Sequence, residues 1–137
     1  MKLKKNYYCF NVNNIHQAIR TTLYCNNNGI IPILFIKYYL VNGFGPDWVV
    51  EFRNLLFKKF HKKNFKILID CRKNYGLFIN LVQQKIDYLQ VKGDNYTIVR
   101  LKQIAKKNKI TVNPKISIID LTKIKNIEYK INKNLKK

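Results

Sequence analysis

Three aspartates stand where short apolar runs meet glycine-bearing turns: Asp47 in "NGFGPDW", Asp70 in "FKILIDC" and Asp94 in "VKGDNY". Acids gathered at the carboxyl ends of parallel strands can hold a metal ion or handle a phosphoryl substrate. Simpler roles compete. Asp47 falls in the first turn of a helix, where an anion meets the positive end of the dipole, and Asp94 fits as an N-cap. Only Asp70, at the end of an apolar strand, has no local role that the sequence explains. No histidine joins the three: His16 belongs near the start of the first helix and His61 near the end of the second. With no phosphate loop, catalytic histidine or nucleophile arrangement beside the acids, no catalytic residue, metal or cofactor is expected.

The glycines of "LVNGFGPDWVV" (Leu40 to Val50) raise the possibility of a nucleotide loop. The dinucleotide fingerprint G-x-G-x-x-G fails at its third glycine, where Trp48 stands, and nothing follows the G-K-[ST] pattern of a phosphate loop. A helix start remains: Pro46 suits the first helical position, Gly45 the cap, and Gly43 relieves the turn. Trp48 then packs that helix onto the sheet or onto a partner, and Tyr38 and Tyr39 offer further protein contacts. Cys9, Cys25 and Cys71 have no C-x-x-C spacing and read as reduced, partly buried thiols.

Charge is the strongest signal. Twenty-seven Lys and Arg against 7 Asp and Glu give a formal net charge of +20 in 137 residues. Richness in Lys, Asn, Ile, Tyr and Phe, with only Ala18 and Ala105, marks an AT-rich coding sequence. Such drift would supply glutamate as readily as lysine, yet Glu51 and Glu128 are the only two. Selection against acid, or for positive charge, accounts for this, and a protein so basic attracts polyanions, with nucleic acid first and anionic lipid second.

The elements that position these residues follow from periodicity. Apolar runs alternate with helical patterns, the mark of βα units around a mostly parallel sheet. Strands are expected at "YYCFNV", "IPILFIKYYLV", "FKILIDC", "YLQVKG" and "ITVNP". Helices are expected over about Asn14 to Cys25 (Ile15, Ala18, Ile19, Thr22 and Leu23 inward), Pro46 to Lys62, Leu77 to Ile86, and within "DNYTIVRLKQIAKKN". Gly29 stops the first. The fold class is α/β: a small three-layer, mostly parallel sheet of about five strands, flavodoxin-like or Rossmann-like, over residues 1–114. A basic C-terminal extension, 115–137, begins with "KISIIDL", a further strand or an extended strap, and ends in a lysine-rich stretch with Ile124, Ile127 and Ile131 at helical spacing. The longest apolar run, Ile30 to Val41, is well short of the roughly 20 residues that cross a bilayer, and no export signal is visible.

On such a sheet most of the lysines gather away from the acids. Lys58, Lys59, Lys62, Lys63 and Lys66 close one helix and open a strand; Lys106, Lys107 and Lys109 do the same further on. Both sets fall at the amino-end edge, interleaved with Phe57, Phe60 and Phe65. Arg72 and Lys73 lie in the loop after the third strand, and Lys123, Lys125, Lys130, Lys133, Lys136 and Lys137 in the extension beside Tyr129. These residues are expected to contact RNA phosphates without reading bases.

The order "ILFIKYYLVNGFGPDWVVEFRNLL" then "KILIDCRKNYGLFINLVQQKIDYLQVKG" resembles small uncharacterised alphaproteobacterial α/β proteins with Gly-Pro-x-Trp and Asp-Cys motifs. The matching residues are Gly45, Pro46, Trp48, Asp70, Cys71, Gly76 and Gly93, within about Ile30 to Ile110. In this AT-rich, lysine-rich coding style the chain looks like a protist mitochondrially encoded protein. That resemblance implies a place in the mitochondrial matrix within a large assembly. The expected function is a non-catalytic structural subunit of a mitochondrial ribosome, with rRNA and neighbouring ribosomal proteins as partners. An accessory subunit of a membrane-bound respiratory-chain complex is the alternative, and a small flavodoxin-like enzyme or nucleotide-binding protein working at Asp47, Asp70 and Asp94 ranks last.

Overall fold

A computed structural model describes residues 7–121 and 127–135. The chain runs β1 (Tyr7–Asn11), α1 (Ile15–Asn27), β2 (Ile31–Ile36), α2 (Tyr38–Phe44), α3 (Pro46–Phe57), β3 (Lys66–Asp70), α4 (Tyr75–Gln83), β4 (Tyr88–Gln90), α5 (Asn95–Lys107), β5 (Thr111–Val112), β6 (Ile118–Asp120) and α6 (Ile127–Leu135). The expected α/β class, Rossmann-like in its βα units, is what the structure has. Every strand pair is parallel, and the sheet has six strands in the order β5-β4-β3-β2-β1-β6, where about five were expected.

From β1 to β5 the chain steps always to the next position, so right-handed crossovers carry the intervening helices over one face. Leu34, Ile36, Ile67, Ile69 and Leu89 point to that face and form the main core with Ala18 of α1, Val49, Phe52 and Leu56 of α3, Phe78 and Leu81 of α4, and Leu101 and Ala105 of α5. The last crossover reverses direction, from one edge of the sheet to the other, and the same handedness sends it over the opposite face. Residues 113–117 are that strap. Asn113 anchors it by donating from Nδ2 to Val91 O (3.0 Å) and accepting at Oδ1 from Val91 N (2.8 Å). Ile116 then packs against Cys9, Ile33, Phe35, Leu68 and Tyr88, the apolar residues of the second face. "KISIIDL" thus supplies both a strap and a strand, with Cys9 opposite Ile118 and Asn11 opposite Asp120. Helix α6 returns to α1, burying Ile127 and Ile131 with Phe10, Cys25 and Ile30. Ile124 lies outside the described residues.

The helix starts follow the sequence. Asn14, Asn74 and Asp94 each accept from the backbone N–H three residues on, at 2.9, 3.0 and 2.8 Å. Three helix ends share one motif: Ile30 N donates to Cys25 O, Ile86 N to Leu81 O, and Ile110 N to Ala105 O. Each is a six-to-one closing bond around a left-handed residue, namely Gly29 (φ 71°), Lys85 (φ 58°) and Lys109 (φ 60°).

Several expectations need correction. The run "IPILFIKYYLV" is strand only to Ile36; Tyr38–Phe44 is a helix that buries Leu40 and Val41. Gly43 therefore lies inside a helix and relieves no turn. Gly45 makes the turn between α2 and α3, with φ 89° and ψ 167°. Helix α3 stops at Phe57 rather than Lys62: Lys59 N tightens onto Leu56 O, three residues back, and a short 3-10 turn follows at Lys62–Asn64. Leu23 is exposed, and α1 buries Ala18, Thr21, Thr22 and Cys25 instead.

Candidate nucleic-acid interface

Asp87, just before β4, is the centre of the amino-end edge. Its Oδ2 accepts from Ile67 N at 2.9 Å, and its Oδ1 lies 3.9 Å from Lys66 Nζ. This ties the starts of β3 and β4 together. Burial pushes its carboxyl pKa up, against the Ile67 N–H and the positive charges of Lys66 and Arg53, which pull it down. Two adjoining hollows meet here. One, about 450 Å³, is lined by Arg53, Phe57, Lys62, Lys63, Phe65, Lys66, Lys85 and Asp87. The other, about 190 Å³, shares Lys66, Lys85 and Asp87 and adds Tyr88, Asn108 and Lys109 among others. Burial, with Tyr7 and Asp87 close by, pushes the Tyr88 phenol up to about 12.

Side by side, then, stand Arg53, Lys62, Lys63, Lys66, Lys85 and Lys109 around a single carboxylate. Such a surface can take phosphate oxygens at several points. Lys62, Lys63, Lys66 and Lys109 are expected at this edge from the sequence pattern, whereas Arg53 and Lys85 are not. Lys85 immediately precedes the fourth strand's entry, so the topology that placed the other lysines at this edge applied to it too. Arg53 carried no such signal; its Nη1 donates to Gln84 O at 2.7 Å, which brings α3 against the end of α4.

Lys85 and Lys109 occupy the left-handed positions that close α4 and α5. A left-handed L-residue costs about 1–2 kcal/mol relative to the ordinary conformation, and glycine would avoid that. The helix dipole rewards a cation anywhere in the last turn and does not require that position. Both residues nevertheless line these hollows, Lys85 the two of them and Lys109 the smaller.

The remaining expected contacts are dispersed. Lys58, Lys59, Lys106 and Lys107 are exposed just beyond or within the ends of α3 and α5. Arg72 and Lys73 sit at the opposite, carboxyl-end edge, with the Arg72 guanidinium 5.3 Å from the Tyr38 ring centre. Lys130 and Lys133 are on α6, which packs on α1 beside the β6 end of the sheet. Lys123, Lys125, Lys136 and Lys137 lie outside the described residues.

At the carboxyl-end edge Asp70 gains the local role that the sequence did not show: its Oδ1 accepts from Arg72 N at 3.0 Å and holds the turn after β3. Asp47 lies in the first turn of α3 and Asp94 caps α5. The hollow at that edge, about 240 Å³ between the starts of α3 and α4, includes none of the three. No group of three His, Cys, Asp or Glu able to hold a metal occurs among the described residues. Burial pushes the thiols of Cys9, Cys25 and Cys71 up to about 12, Cys71 also through Asp70, so they stay protonated. Trp48 is half-buried between Phe44 and Phe52, ring centres 5.4 and 5.2 Å away. With Leu55 and Glu51 it lines an apolar hollow of about 290 Å³ that also reaches Asn13, whose side chain takes the Tyr39 hydroxyl at 3.1 Å. No helix among the described residues is long and apolar enough to cross a membrane.

No protein-family model, curated protein or solved structure matches this chain.

Proposed function

We propose that this chain is a non-catalytic structural subunit of a mitochondrial ribosome, gripping rRNA phosphates with the lysines of its amino-end edge. The observation that carries the reading is the pair Lys85 and Lys109. Two lysines hold left-handed positions where glycine would be more stable; Lys85 lines the larger hollow with Lys62, Lys63 and Lys66, and both Lys85 and Lys109 line the smaller one with Lys66. Charge retained against a conformational cost is charge with a use. The net charge of +20 supports the same partner class, and the AT-rich coding style supports the organelle. The apolar hollow at Trp48 suits a neighbouring protein, which a ribosome supplies. An accessory subunit of a respiratory-chain complex would also meet one, but has less need of the lysine edge.

The test is the double variant Lys85→Gly/Lys109→Gly. It should be more stable than the parent by about 2–4 kcal/mol, the two sites together, and bind RNA more weakly. The salt dependence of log K should be shallower by about 1.4, since two fewer counterion-releasing contacts remain. A variant that gains stability and keeps its RNA affinity unchanged would remove the main support. In the native organelle the protein should sediment with ribosomes and be released by nuclease; migration with a membrane complex after nuclease would favour the respiratory alternative.

A further inference from the structure

The larger amino-edge hollow has its charge sorted. Lys62, Lys63 and Lys85 are exposed at the rim, while the less exposed Asp87 and Lys66 lie close to each other within. Phe57, the last residue of α3, forms part of the wall. Its ring touches the buried Phe65 at 5.4 Å between centres, yet 46% of the residue remains in solvent. The Arg53 guanidinium lies 6.0 Å from the same ring centre.

We propose that this hollow holds one unpaired RNA nucleotide, its base lying on Phe57 and its phosphates on Lys62, Lys63 and Lys85. This rests on the RNA-contacting reading and narrows it to single-stranded RNA. Three observations carry it. The volume, about 450 Å³, falls in the range of about 300–1,000 Å³ that encloses small organic ligands. A duplex keeps its bases stacked inward, so it would meet only the exposed lysines and leave the aromatic wall empty; an unpaired base stacks on such a wall whatever its identity. Asp87 repels a phosphate, so the anion stays at the rim while a neutral base, which carries N–H donors, goes further in.

Fluorescence anisotropy on the full chain tests this with three RNAs of equal length: a single-stranded octamer, a blunt duplex, and an octamer of abasic sites with the same phosphate charge. The single strand should bind at least tenfold more tightly than either of the others. Phe57→Ala should weaken single-strand binding by about five- to hundredfold, the value of one stacked base, and leave duplex binding unchanged. Phe57→Trp should preserve it, with indole emission quenched by the single strand beyond the Trp48 background. Equal binding of the abasic and normal octamers overturns the proposal without using any variant. So does an equal effect of Phe57→Ala on strand and duplex; in both cases the lysine edge as a phosphate surface stands. If none of the three RNAs binds, the RNA-contacting reading itself fails.

Discussion

Arg20 on α1 and Glu128 on α6 meet in a two-pronged ion pair, with Nε donating to Oε1 at 3.2 Å and Nη2 to Oε2 at 2.7 Å. The pair joins residues 108 positions apart, and beneath it Ile127 and Ile131 are fully buried. Apolar burial therefore docks α6, and the ion pair fixes its angle on α1. Both side chains are about one-third exposed, so water screens much of their attraction.

Arg20→Ala and Glu128→Gln should each lower stability by about 0.2–1 kcal/mol, and the double variant by less than their sum. The Arg20 hydrogen bond holds the Glu128 carboxyl below its ordinary value of 4.5. An acid lowered on folding contributes stability above its unfolded pKa and loses it as pH falls through the folded one. Denaturation at pH 7 and at pH 3 should therefore show the single-variant deficits shrinking in acid. A deficit that stays constant would mean the side chains act only through packing.

Asn113 starts the strap with φ 52° and with both side-chain groups on Val91. Asn113→Gly keeps the conformation and loses two hydrogen bonds, a cost of about 1–3 kcal/mol. Asn113→Ala loses the same bonds and adds about 1 kcal/mol or more of left-handed strain. Thermal or urea denaturation should rank Asn above Gly above Ala. Alanine equal to or better than glycine would show that the side-chain bonds and not the backbone geometry set this position.

The strands "YYCFN" and "KILID" were legible because each is a short apolar run bounded by turn residues. "KYYLV" was not, since four apolar residues after a strand look the same whether they extend it or turn into a helix. What decides is tertiary: Leu40 and Val41 reach the core beside Phe52 only from a helix packed on α3. The direction of the last crossover was equally hidden, because strand order is a property of long-range pairing and leaves no local mark. The lysine edge was legible where charges run together, as at "KKFHKKNFK". It was illegible at Arg53, which reaches the site from an isolated position on α3.

Gly43 and Gly45, two residues apart, should respond to alanine in opposite directions. Gly43 is helical, and a Cβ there meets nothing within 4 Å, so Gly43→Ala should stabilise by about 0.5–1 kcal/mol. Gly45 has φ 89° and ψ 167°, a region open essentially to glycine alone, so Gly45→Ala should destabilise by about 1–3 kcal/mol despite the same free space. Urea midpoints of the two variants check this directly. If both substitutions shift the midpoint the same way, the backbone difference between the two glycines does not control the α2–α3 junction.

Asp87 sets a pH dependence of opposite sign to that of Glu128. Burial outweighs its favourable contacts, so its carboxyl is raised above the ordinary 3.8 in the folded chain. The folded state then binds the proton more tightly than the unfolded state does. Its contribution is most favourable below the unfolded value and declines as pH rises to the folded one, above which the whole penalty applies. Asp87→Asn removes the ionisation and keeps an oxygen for Ile67 N, so it should be at least as stable as the parent at pH 7, with the difference vanishing near pH 3. Asp87→Ala also lacks the ionisation but leaves the Ile67 N–H without its partner, so it should be less stable than Asp87→Asn by about 1–3 kcal/mol at every pH. A loss in Asp87→Asn at pH 7 that disappears near pH 3 would show that the charge, held by Lys66 and Arg53, stabilises the amino-end edge and that burial is not the dominant effect.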